Sequence, residues 1–284
     1  MQNRLRHYLI NAIIFAVTLL IGVLIFGQYL KIADPLGIRT NFEDWVAMLK
    51  KLEDHPTGFG FEPGTHELIG YTVTIMDDYN RLVPDTNPDA ECTIAAIGDS
   101  MTYGGGVNDD ETWVNLLAQA FPDVHFLNTG RPAYAASEIR ELYRFTEADG
   151  YIYFIINNDI MPESGMERLP DNYRLPNIFG LYRAGINNRY NFEHITEQEF
   201  EVADFDTFWA TLGEFSSGGD VMMFTYDYWE ITEETVERFP EVLVIPYTDD
   251  RVSWYDAHPN ATGHQAIFAS IRDDVAVLIE EQCG

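Results

Sequence analysis

The longest apolar stretch of the chain lies near its start. From Tyr8 to Tyr29 no charged residue interrupts YLINAIIFAVTLLIGVLIFGQY, which is about 33 Å as a helix and enough to span a hydrocarbon core. The stretch is apolar on every face, and it has neither the short apolar run nor the small-x-small cleavage site of a secretory leader. The pattern therefore predicts a retained transmembrane anchor over residues 1–30. Arg4 and Arg6 precede it, while Lys31, Arg39, Lys50 and Lys51 follow it, so positive charge does not orient it. The short tail and the large acidic domain behind it predict the N-terminus inside and the domain outside.

Residues 31–90 read as a stalk and N-terminal extension. Asp44–Leu52 has the pattern of a short helix, HPTGFGFEPGTHE is dense in turn residues, Gly70–Met76 reads as a strand, and Pro84–Asp89 is again turn-rich. From Thr93 the rhythm changes. Thr93–Ile97, Val124–Leu127, Tyr151–Ile156, Val221–Thr225 and Val242–Ile245 are short continuous apolar runs, the signature of parallel strands buried on both faces. Helical patterns alternate with them at about Glu111–Ala120, Ser137–Ala148 and Ile231–Arg238, and a last one runs from Ala261 to Glu281. This alternation predicts an α/β domain over 91–284, a parallel sheet with helices on both faces. Met161–Phe215 is long for a connection and reads as an insertion that builds part of a substrate site.

Charge narrows the partners. Asp+Glu number 46 against Lys+Arg 17, a formal net charge of −29, and Lys31, Lys50 and Lys51 are the only lysines. Such a surface repels nucleic acid, so no nucleic-acid partner is expected. Adaptation to high salt and ordinary acidity both account for this balance. The two cysteines, Cys92 and Cys283, have no metal-ligand spacing, so thiol-bound metal is not expected.

Four segments carry candidate chemistry. In IAAIGDSMTYGGG a strand runs into Gly98-Asp99-Ser100, placing a serine at the carboxyl end of a parallel strand, where such sheets bind ligands. Its backbone N–H faces the place where an oxyanion would develop. FLNTGRPAY sets Gly130 after the second strand, where the missing side chain permits close approach. YFIINNDI sets Asn157, Asn158 and Asp159 after the third, and an amide side chain donates to an oxyanion without adding charge. WYDAHPNATGHQAIF holds His258 just before the last helix, with Asp256 two residues earlier to orient it, giving the nucleophile, base and orienter of a serine triad in the order Ser…Asp…His. Taken singly, each segment also fits a plain turn, loop or cap. His264 reads as a residue of the last helix.

Together and in this order, GDSMTYG, NTG, NND and DAHPNATGH resemble the four consensus blocks of the SGNH (GDSL) hydrolases over about Thr93 to Glu281. The resemblance implies a flavodoxin-like three-layer α/β/α fold. It implies Ser100 as nucleophile, His258 as base, Asp256 as its partner, and an oxyanion hole of the Ser100 N–H, the Gly130 N–H and the Asn158 side chain. Two positions depart from the usual blocks: Ile156 replaces the glycine of Gly-x-Asn-Asp, and the acid stands two rather than three residues before the histidine. Asp249 or Asp250 is the fallback orienter.

The expected reaction is acyl transfer from a small ester, such as an acetyl ester of a carbohydrate, to water, with no metal or organic cofactor. A cell-surface O-acyltransferase on polysaccharide and a non-catalytic carbohydrate-binding domain are the rivals. For the last, Tyr173, Phe179, Tyr182, Tyr190, Phe192, Phe208 and Trp209 offer aromatic faces to sugars, although a core role accounts for at least half of them. In the implied fold the final helix runs from the site back to the opposite pole, which brings Cys283 toward Cys92. A disulfide is compatible with that placement, as are two separate thiols.

Overall fold

The computed structural model describes residues 2–33, 45, 48–51, 58–68, 70–162, 203–253 and 256–284. The first helix, α1 (Gln2–Ala33), contains Arg6–Phe26, which is long and apolar enough to cross a membrane and has none of its surface buried in the protein.

The core is a five-stranded parallel sheet of β5 (Cys92–Gly98), β6 (Val124–Asn128), β7 (Gly150–Ile155), β8 (Val221–Tyr226) and β9 (Leu243–Ile245), in the order β6-β5-β7-β8-β9. Counted within the sheet this is the 2-1-3-4-5 order of doubly wound, flavodoxin-like folds. The central strand GYIYFI is buried at all six positions, which is why its sequence shows a continuous apolar run rather than alternation. Helices α3 (Trp113–Ala120) and α7 (Ala261–Cys283) pack together, as do α4 (Ala136–Phe145) and α5 (Phe205–Gly218), making the outer layers. The expected α/β/α architecture is present.

Local chemistry sets the element ends. Asp99 caps the short helix α2 (Ser100–Tyr103) by accepting from the Met101 N–H, and Asn260 caps α7 through the Thr262 and Gly263 N–H groups. Gly98 carries φ +148°, and a Cβ there would stand 2.3 Å from Thr102 Oγ1, so the strand-to-helix turn before Ser100 accepts no side chain.

Upstream of the sheet the structure departs from the sequence reading. Leu49–Lys51, inside the expected Asp44–Leu52 helix, is strand β1, paired antiparallel with β2 (Phe59–Phe61) in the stretch read as turns. Alternation at LKK and FGF is too short to register as a strand signal. A second hairpin joins β3 (Gly64–Glu67) to β4 (Thr72–Ile75), and Arg81 bridges Ile75 to Asn128 at the sheet edge. Trp45, Met48 and Phe61, in the stretch read as a stalk, are buried in the main core.

Of the expected insertion over 161–215, residues 163–202 lie outside the described residues, and its far end belongs to α5, an outer-layer helix with Phe208, Leu212 and Phe215 fully buried. Trp209 stacks under the Arg238 guanidinium of α6 (Thr232–Arg238). Phe208 and Trp209 are thus packing residues of α5, while Tyr173, Phe179, Tyr182, Tyr190 and Phe192 lie outside the described residues. Cys92 and Cys283 form a disulfide with Cα atoms 5.6 Å apart, joining the start of β5 to the end of α7.

Candidate active site

The carboxyl edge of the sheet gathers the four motif segments. Ser100 opens α2 directly after β5, and its hydroxyl lies 2.8 Å from His258 Nε2. His258 comes from a hairpin that the strand pattern did not reveal, β10 (Arg251–Ser253) with β11 (Asp256–Pro259). On an extended strand, side chains at i and i+2 share a face, so Asp256 and His258 point the same way. Asp256 Oδ1 meets His258 Nδ1 and also accepts from the His258 backbone N–H at 3.2 Å. The short Asp-x-His spacing suits a strand, as a three-residue spacing suits a turn. Asp249, the fallback orienter, instead pairs with Arg251 at 3.0 Å, and no contact joins Asp250 to His258 among the described residues.

The group is almost dry. His258 and Asp256 are 0% exposed and Ser100 is 4% exposed. Burial opposes protonation of His258, but the Asp256 carboxylate, its hydrogen bond and the more distant Asp99 favour it and prevail, lifting the pKa above the ordinary histidine value.

Gly130 is placed by contact rather than by conformation. A Cβ on it would fall 2.4 Å from the Tyr103 backbone nitrogen, so only glycine lets this loop lie against α2. Its N–H donates to Asn128 Oδ1 at 3.1 Å, and Asn128 Nδ2 donates in turn to Thr102 O at 3.1 Å. Asn128 therefore locks the loop to α2. The Gly130 N–H is thus already engaged by Asn128.

Asn158 sits in the single turn Asn157–Ile160 after β7. Asp159 shapes this turn, its Oδ2 accepting from Tyr153 Oη at 2.6 Å and from the Ile156 N–H at 2.9 Å. Burial drives the Asp159 carboxyl well above the usual carboxylate range, with Asp99 adding to the push. Asn157 turns away to Glu230. Ile156, directly after β7, is buried.

Asp99 is the main participant that sequence reasoning did not assign. Its Oδ2 lies 2.8 Å from Ser100 Oγ, competing with His258 Nε2 for the one hydroxyl proton, and stands 3.5 Å from Asn158 Nδ2, while Oδ1 takes the Met101 N–H. A carboxylate thus already gathers the donors at the head of α2. Burial raises its pKa, against the pull of those hydrogen bonds and of His258. Asp99 lies inside the Gly-Asp-Ser motif, but a tripeptide that also suits any tight turn does not disclose where its carboxylate points.

Among the described residues the one group of potential metal ligands is Cys92, Asp149 and Cys283. Its two thiols are joined in the disulfide, and it lies at the pole opposite Ser100.

No protein-family model and no curated protein sequence matches the chain. Solved structures similar to it include a putative lipolytic protein of the G-D-S-L family from Desulfitobacterium hafniense DCB-2, 13% identical, with a TM-score of 0.40 over 64% of this chain and 99% of that one. A family two carbohydrate esterase from Cellvibrio japonicus is 12% identical, with a TM-score of 0.41 over 67% of this chain and 62% of that one. The psychrotrophic esterase EstA from Pseudoalteromonas is 12% identical, with a TM-score of 0.37 over 67% of this chain and all of that one. The fold assignment rests on the strand order of the sheet itself rather than on these likenesses.

Proposed function

We propose that the chain is a serine esterase of the SGNH kind, with Ser100 as nucleophile, His258 as base and Asp256 as its orienter. The observation that carries this reading is the continuous buried chain from Ser100 Oγ through the His258 imidazole to Asp256. His258 Nε2 takes the Ser100 proton as Oγ attacks the ester carbonyl. The tetrahedral oxyanion is met by the Ser100 and Gly130 N–H groups and by Asn158 Nδ2. His258 then protonates the departing alcohol, and water or another hydroxyl repeats the sequence in reverse to release the acyl group. Neither a metal nor an organic cofactor is required by this chemistry.

A small acyl group, acetyl in the simplest case, suits a serine that is only 4% exposed. The alcohol portion is proposed to be a carbohydrate. The α1 segment is proposed to anchor the enzyme in the membrane with its catalytic domain outside the cytoplasm. Eleven residues separate Ala33 from Trp45, a span of at most about 43 Å, so the site works close to the bilayer.

Transfer to a second hydroxyl is the other reading, favoured by the exclusion of water from His258 and Asp256. A panel of acyl chains and sugar acceptors on the full chain, beside Ser100→Ala, tests both. Turnover of a short-chain ester that vanishes in Ser100→Ala is expected. The acylated-sugar yield decides between hydrolysis and transfer, and undiminished turnover in Ser100→Ala contradicts the assignment.

A further inference from the structure

Trp45 belongs to the segment between α1 and the sheet, outside all four motifs, yet it is 1% exposed. Its indole meets the His258 imidazole nearly at right angles, at 87°, with ring centroids 5.2 Å apart. Hydrogen bonds at Nδ1 and Nε2 fix the line joining the two nitrogens but leave the ring free to swing about it. A packed aromatic wall removes that freedom and keeps water from the ring.

The same upstream stretch braces the other half of the pair. Phe61 of β2 packs on Tyr103, the last residue of α2, with centroids 5.3 Å apart. Arg81 is buried with its guanidinium donating to Tyr103 O at 2.7 Å and Gly104 O at 2.5 Å, and with Asp109 as counter-ion at 2.9 Å. Three residues that precede β5 therefore converge on the base and on the helix that carries the nucleophile.

We propose that the segment upstream of the sheet is a working part of the site, with Trp45 as a positioning residue that holds the His258 imidazole in line for proton transfer. This rests on the serine-esterase reading. Trp45 acts through His258, so its loss reduces the chemical step rather than substrate binding. Among the described residues the titratable groups facing His258 are Asp256 on its own strand, Asp99 at the head of α2 and His264 on α7. All three electrostatic partners remain when Trp45 is changed. What changes is the water that reaches them.

The test uses the full chain in detergent, comparing wild type with Trp45→Ala, Trp45→Leu and Trp45→Phe. Reactive serines are titrated to completion with a fluorophosphonate, and kcat and KM for a small acetyl ester are measured per titrated site across pH. Trp45→Ala and Trp45→Leu are expected to lower kcat about ten- to a hundredfold, with KM within about twofold of wild type and the acid limb displaced. Trp45→Phe is expected to recover most of the loss. Leucine retains bulk without an aromatic ring and covers the case in which alanine yields too little folded protein. An unchanged kcat per titrated serine and an unmoved acid limb in Trp45→Leu would show that Trp45 only fills the core, overturning the proposal. A wild-type chain that neither reacts at Ser100 nor turns over any ester overturns the esterase reading, and the role of Trp45 with it.

Discussion

Asp256 and His258 lie two residues apart on one short strand and face the same side of it, so the carboxylate reaches both Nδ1 and the backbone N–H of its partner. One strand thereby fixes both members of the pair. Replacing Asp256 with Asn keeps the shape but stabilises neither the required tautomer nor the imidazolium. A loss of about 10⁴-fold in kcat is expected, measured with a small acetyl ester. Asp249→Asn should leave kcat unchanged, and the reverse pattern would move the orienter to Asp249.

In the proposed mechanism, neutral His258 is the active form and sets the acid limb of the pH profile. Because the His258 pKa is raised, that limb lies above the ordinary histidine value of about 6.5. Asp99 contributes to the elevation, so Asp99→Asn should move the limb toward lower pH, whatever it does to the maximum rate. A limb that stays in place, or moves upward, would show that Asp99 does not act on His258 electrostatically.

The sheet and the motif segments were legible because each produces a strong local signal. Buried parallel strands such as GYIYFI are continuous apolar runs, and a serine or histidine at a strand's carboxyl end needs only the sheet topology to be placed. The upstream hairpins were not legible, since strands of three or four residues such as LKK and FGF are shorter than any reliable period. Trp45 and Arg81 gave no signal because their partners, His258 and Tyr103, are distant in sequence. At α5 the aromatics of FDTFW suit a sugar platform as well as a core face, and only their packing in the outer layer shows which they serve.

His264 offers a stability test independent of catalysis. It is fully buried on α7, accepts from the Trp113 N–H at 3.2 Å through Nδ1, and burial with nearby Arg81 lowers its pKa to about 3. As pH falls below about 6.5 the unfolded chain binds a proton there that the folded chain refuses, so this contribution to stability declines between about 6.5 and 3. The loss amounts to about 2 kcal/mol by pH ~5. His258, with its raised pKa, acts in the opposite sense, so the comparison is with His264→Gln. Chemical denaturation should show a smaller loss of stability on acidification in the variant than in wild type. Equal losses would contradict the assignment.

The Cys92–Cys283 bond ties the first strand of the sheet to the last helix at the pole away from Ser100. Reduction should lower the unfolding free energy by about 2–5 kcal/mol. The kcat per reactive serine, measured well below the melting temperature, should not change. A parallel loss of kcat would mean that the bond reaches the site.

The central claim is that Ser100, activated by His258, forms a covalent acyl-enzyme. Its most direct measurement is mass spectrometry of the full chain after brief exposure to a small activated acetyl ester and an acid quench, followed by peptide mapping. The account predicts one acetyl group, located on Ser100, that accumulates in wild type and is absent in both Ser100→Ala and His258→Ala. Ester turnover with no adduct at Ser100, or an adduct that persists in His258→Ala at the wild-type rate, would contradict it.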